Sequence, residues 1–181
     1  IPRQVEGAFL LTGVECNVVD FDGTIDYVED EHKNLDWVIA SIHSSTLLTK
    51  EAPTVESCTN AWLQIAKDPR VCVIGQPKFK FDYERVIPEF GRWGKLVEIN
   101  NNSFHVRRDA VINCREIALL CKKHGVRVIV NTDSHFATQV GHAGLALEML
   151  DEIGFPEELV VNSSVERFRQ YLKERNIHLE D

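Results

Sequence analysis

The chain has no Cys-x-x-Cys pair, no run of basic residues, no internal repeat and no long apolar stretch, and each absence removes a class of function. The five cysteines (Cys16, Cys58, Cys72, Cys114, Cys121) are scattered and odd in number, so a disulfide framework is not expected. They read as reduced, mostly buried thiols of a cytoplasmic protein. Beyond Arg107-Arg108 and Lys122-Lys123 there is no cluster of Lys or Arg, and the net charge is −8. That balance argues against gripping a nucleic-acid backbone, while a small phosphorylated ligand stays open, because a local site can override the global sign. No apolar run approaches the ~20 residues of a membrane span, so no membrane partner is expected. No basic-then-apolar leader argues for export. The opening Ile1-Pro2 leads within a few residues into a strand-like run, as expected for a piece of something longer or a processed product.

What is present is an ordinary globular composition, 44% hydrophobic and 27% charged over 181 residues, enough for one domain with a sizeable core. Residues 1–181 are therefore read as a single domain. Short apolar runs alternate with longer amphipathic segments. The runs predict strands over Ala8–Cys16, Trp37–Ile42, Val71–Ile74, Leu96–Ile99, Val126–Val130 and Leu159–Val161. Asp22-Gly23 marks a tight hairpin between Asn17 and Asp26. Helices are expected over Val55–Lys67, Tyr83–Trp93, Ala110–His124, Gly141–Glu152 and Val165–Arg175. The third carries an apolar stripe, ends on Lys122-Lys123-His124 and stops at Gly125, which suits both the helix dipole and a C-cap. Strand and helix in regular alternation predict parallel βα units and an α/β fold.

Such folds keep their chemistry at the carboxyl ends of the strands. Gly13-Val14-Glu15-Cys16-Asn17 stands at the end of the first strand and Ile42-His43-Ser44 at the end of the second. Gly75-Gln76-Pro77 follows the third, Asn100-Asn101-Asn102-Ser103-Phe104-His105 the fourth, and Asp133-Ser134-His135 the fifth. On one rim, Glu15, His43, Asp133 and His135 would lie within reach of each other. Two carboxylates and two imidazoles suit zinc or manganese, with iron a further option. Each also has a plainer reading: an ion pair for Glu15, a satisfied core histidine for His43, a turn cap for Asp133. Asn101, His105, Arg107 and Arg108 are candidates to meet a phosphate. Glu98 lies inside a strand, and Asn100 and Asn101 can orient ligands or a substrate.

In order along the chain, Gly-x-Glu-x-Asn, an apolar strand leading to His43, Gly-Gln-Pro, Glu-Ile-Asn-Asn-x-Ser-Phe and Asp-Ser-His resemble the PHP (polymerase and histidinol phosphatase) family. The small bacterial phosphatases of that family are the nearest likeness. The resemblance implies a distorted TIM-like (β/α)7 barrel with two or three metal ions at its carboxyl rim. It implies that Glu15 bridges two metals, that His43 binds one of that pair, that Asp133 binds the first metal and that His135 binds another. Glu15 and Asp133 are then catalytic, and a metal-activated water attacks the phosphorus of a small phosphate monoester. The chain departs from the pattern in two places. The family's opening Asp-x-His-x-His-Thr and Thr-Asp-His strands are absent, so the barrel is expected to lack its first strands and to expose edges that invite pairing with another copy. Gln76 stands where the family usually has histidine, and an amide oxygen is a poorer zinc ligand than imidazole. Two functions stay open: a metal-dependent phosphoesterase, and a catalytically impaired PHP-like module used for binding or structure. A proofreading or pyrophosphatase module of a DNA polymerase fits the acidic charge less well.

Overall fold

Continuous apolar runs of four or five residues can be covered on both faces only if helices pack on the sheet they form, and that is the arrangement observed. The computed structural model describes residues 3–75, 79–106 and 108–178. In chain order its elements are β1 (Gln4–Val5), β2 (Ala8–Phe9), β3 (Gly13–Asn17), α1 (Glu29–His32), β4 (Trp37–Ser41), α2 (Val55–Lys67) and β5 (Val73–Ile74). They continue with α3 (Tyr83–Arg92), β6 (Leu96–Asn100), α4 (Ser103–Val106), α5 (Arg108–His124), β7 (Val128–Asn131), α6 (Gly144–Glu152) and α7 (Val165–Glu174). Strands β3 to β7 form one five-stranded parallel sheet in sequential order, and β1 and β2 form a separate antiparallel pair. The result is a mixed α/β structure. No closed barrel is formed by the described residues: the sheet is open, with β3 and β7 as its edges.

The register divides the sheet into two faces, since residues two apart on a strand share a side. On one face Cys16, Val38, Ala40, Ile74, Val97 and Val128 join the main core with Trp62 and Ile65 of α2, Phe90 of α3 and Ile117 of α5. On the other face Trp37, Val73, Leu96 and Ile129 pack against Tyr171 and Leu172 of α7. Helix α7 covers the amino-terminal half of that face. Toward the carboxyl ends the same face carries Glu15 and Asn17 on β3, Ser41 on β4, Glu98 and Asn100 on β6, and Asn131 on β7. One side of the sheet is thus apolar where α7 sits and polar where the strands end.

Several boundaries differ from those expected. The run Ala8–Cys16 is two strands rather than one, because Asp36 takes hold of the chain between them. Its carboxylate accepts from Thr12 N (2.9 Å) and Thr12 Oγ1 (3.0 Å) and also pairs with Arg3. The expected strand Leu159–Val161 is a 3-10 turn over Glu157–Leu159 followed by a single parallel bridge from Val160 to Val128. The helix expected from Gly141 begins at Gly144, since Gly141 itself adopts a positive φ of 82° that no helix accommodates. The Val55–Lys67 helix has the expected bounds. Among the described residues no helix is long and apolar enough to cross a membrane.

Candidate functional site

Parallel pairing of β3 with β4 sets Glu15 beside Ile39 and Asn17 beside Ser41, and His43 stands two residues beyond the end of β4. The chain therefore brings a carboxylate and an imidazole from different strands to one point of the rim. His43 Nε2 lies 3.9 Å from Glu15 Oε1, with the two side chains 26% and 52% exposed. Glu15 is thus open to solvent at the sheet edge. The other ring nitrogen, His43 Nδ1, is 3.1 Å from Asn17 Oδ1. Asn17 in turn donates from its backbone N (2.7 Å) and its Nδ2 (2.8 Å) to the two carboxylate oxygens of Asp26.

At the other edge Asp133 follows β7 with φ of 49°, a left-handed conformation that aspartate tolerates better than most residues but at a cost. Its carboxylate accepts from Asn102 Nδ2 at 3.4 Å. His135 folds back so that Nδ1 is 2.9 Å from the Asp133 carbonyl, while its backbone N donates to Gln139 Oε1 at 2.8 Å. A carbonyl can only accept, so His135 Nδ1 carries a proton, and in the neutral ring the lone pair is on Nε2. Between the two edges Glu98, 8% exposed, accepts from Asn131 Nδ2 at 2.8 Å and from Asn100 Nδ2 at 3.5 Å. This carboxylate links the ends of β6 and β7.

The structure thus brings Glu15 and His43 together at one edge and leaves Asp133 with its near neighbour His135, joined through a main-chain carbonyl, at the other, so that the four expected ligands form two separate pairs and not one cluster. Three strands lie between β3 and β7, so the pairs start roughly 19 Å apart along a flat sheet at about 4.8 Å per strand, and closer as it curls. A zinc- or manganese-type ion takes imidazole nitrogen and carboxylate oxygen, and each pair offers one of each. In kind, the donors fit. In number they come two at a time: among the described residues no three His, Cys, Asp or Glu side chains gather as a metal-holding group.

The remaining candidates separate. Asn101 is buried, and its Oδ1 accepts from Ala146 N at 3.0 Å, which ties the end of β6 to the start of α6. His105 is exposed on α4. Arg108 opens α5, whereas Arg107 and Gln76 lie outside the described residues. A cavity of about 350 Å³ beside β7, lined by Val130, Leu147, Phe155 and Asn162 among others, takes in none of the expected site residues. All five cysteines are buried and unpaired. Burial, and after it the Asp26 carboxylate, push the Cys16 thiol up to about 11, which leaves no thiolate for nucleophilic work near Glu15. Asp26, Asn102 and Gln139 were not among the residues expected at the site. The spacing of the Asp22-Gly23 hairpin was the one sequence signal that could have pointed to Asp26.

No family model matches the chain. Curated bacterial proteins do. The chain is 39% identical over 178 residues to a protein of Acetivibrio thermocellus named a probable phosphatase, an alignment that covers 97% of this chain and 73% of that one. It is 42% identical over 179 residues to a probable phosphatase of Caldanaerobacter subterraneus subsp. tengcongensis, covering 97% and 70%. A probable phosphatase of Caldicellulosiruptor bescii is 38% identical over 176 residues, covering 96% and 72%.

Proposed function

The chain belongs to the family of these bacterial proteins named probable phosphatases, and from that premise we propose that it hydrolyses small phosphate monoesters with the help of divalent ions, in the manner of PHP enzymes. The observation that carries this reading is the rim. An imidazole and a carboxylate meet at 3.9 Å where β3 and β4 end, and beyond β7 His135 leans on the main-chain carbonyl of Asp133, two residues before it. The sequential parallel order of five strands supports reading the sheet as part of a distorted (β/α)7 wall. In this reading Glu15 and His43 hold one ion, and Asp133 and His135 contribute to another. A bound divalent ion would lower the pKa of water toward neutrality and withdraw charge from the phosphate oxygens. The residues do the rest. The Asp133 carbonyl keeps the proton of His135 on Nδ1, Asn102 steadies the Asp133 carboxylate, and Glu98 holds the β6 and β7 ends in common register. Exposed His105, and Arg108 at the start of α5, are proposed to meet the phosphate.

One observation favours a second reading, a PHP-like module without catalysis: among the described residues no three His, Cys, Asp or Glu side chains gather as a metal-holding group. A single assay separates the two. Purified protein is given a panel of small phosphate monoesters with zinc, with manganese and with chelator. Ion-dependent release of phosphate that drops to background in Glu15→Ala and in Asp133→Ala is the expected result. No release above buffer with any ion and any ester would leave the non-catalytic module.

A further inference from the structure

The hairpin between β3 and β4 has no obvious claim on the rim chemistry, yet its far strand returns a carboxylate to Asn17, the residue whose amide meets His43. Val18 bridges Ile25 in antiparallel fashion, Val19 N donates to Thr24 O (2.8 Å), and Asp26 N donates to Asn17 O (3.0 Å). The tip is fixed as well. Asn60 Nδ2 on α2 donates to Phe21 O at 2.7 Å, and Gly23, at φ 83°, sits so close to α2 that a Cβ there would lie 2.6 Å from the Cβ of Gln64. Asp26 is therefore held in place by backbone pairing and by the helix, independently of its own side chain.

The chemistry of the three side chains then runs in one direction. An ionised carboxylate can only accept, so Asp26 takes both the backbone N–H and the amide N–H of Asn17. That commits the Asn17 amide: its Nδ2 is engaged behind, and its Oδ1 must face forward. An amide oxygen also only accepts, so His43 Nδ1, at 3.1 Å, must be the donor. In the neutral ring the lone pair is then on Nε2, the atom that stands 3.9 Å from Glu15 Oε1. Nε2 and a carboxylate oxygen, both electron-pair donors, then face the same space.

We propose that Asn17 and Asp26 are positioning residues, an amide and a carboxylate that act in series to hold His43 in its Nδ1–H tautomer with Nε2 turned to the Glu15 side of the rim. This rests on the functional reading above for its purpose, but not for its test. If the hairpin served only to close a turn, the tautomer of His43 would be indifferent to Asn17. Outer partners of this kind typically change metal affinity or activity 10- to 100-fold when removed.

The experiment is long-range 1H–15N correlation on uniformly labelled, chelator-treated protein at about pH 8.5, where a free imidazole is neutral. A His43→Gln sample identifies the His43 signals. The expected result is a protonated Nδ1 and an unprotonated Nε2 in the parent, replaced by a mixture of tautomers in Asn17→Ala at an unchanged melting temperature. In parallel, kcat toward the best phosphate ester falls about 10- to 100-fold with KM little changed. Should Asn17→Ala fail to fold, Asp26→Asn is read in the same way, because it keeps the shape and frees the amide to turn. A parent His43 protonated on Nε2, or a folded Asn17→Ala that keeps the parent tautomer, overturns the proposal. Tautomer signals as expected in a protein that hydrolyses no ester would uphold it and overturn the phosphatase reading instead.

Discussion

Lys95 is 3% exposed at the amino-terminal end of β6, where Nζ donates to the backbone carbonyls of Asp68 and Val71, the latter at 2.7 Å. Burial first, and the nearby Arg175 guanidinium second, lower its pKa from 10.5 to about 8, against the opposing pull of Asp68. A neutral amine still has two N–H groups for its two carbonyls, so deprotonation need not break this contact. The sign of the linkage follows from the order of the two values. With the folded pKa below the unfolded one, the unfolded chain holds the extra proton between about pH 8 and 10.5, and the contribution of Lys95 to stability rises with pH through that window. Urea unfolding of the parent and of Lys95→Met at pH 7.5 and pH 10 is the check. The stability difference, parent minus variant, should grow by about 2 kcal/mol toward pH 10. Taking that difference cancels the cysteines and tyrosines that titrate in the same range. A difference that stays level would mean that Lys95 keeps an ordinary pKa in the fold.

At the scale of the element, β7 is an edge strand whose outer side is occupied by a side chain instead of a strand. Asn162 Oδ1 accepts from Val130 N at 3.0 Å, and its Nδ2 donates to Val130 O at 2.7 Å, reproducing the pairing of a neighbouring peptide. Replacing it by alanine would leave a buried donor and acceptor without these partners, for an expected loss of about 1–3 kcal/mol in urea unfolding, while Val165→Ala, exposed in the first turn of α7, should change stability by less than about 0.5 kcal/mol. Equal effects of the two substitutions would contradict a pairing role for Asn162. This contact also shows where reading the chain stopped. Helices bounded by side-chain caps, such as Thr54 before α2 and Ser164 before α7, are legible because the signal is local. The run Leu159–Val161 has strand composition but forms one bridge, because the carbonyl and amide it would have paired are taken by Asn162, a competition that no local pattern reveals. Likewise Asp36 divides the first apolar run from 24 residues away. The Glu15–His43 pair was legible because parallel register carries strand ends to a common rim. The clasp of Asp26 on Asn17 was not, since it depends on how a hairpin closes.

For the whole molecule, the two ends of one sheet face have different tasks. Helix α7 seals the amino-terminal half with Tyr171 and Leu172, and the carboxyl-terminal half carries carboxylates, amides and imidazoles, buried at Glu98 and Asn100 and exposed at Glu15, Asp133 and His135. That division makes the rim the place to look for chemistry, and divalent ions are what its donors suit. The most direct measurement is metal stoichiometry by elemental analysis of the parent protein beside a Glu15→Ala, Asp133→Ala double variant, each loaded with zinc or manganese and then freed of unbound ion. Bound metal in the parent that disappears in a folded double variant is the predicted result. A parent that retains none, or a variant that retains as much as the parent, would contradict a metal-dependent rim.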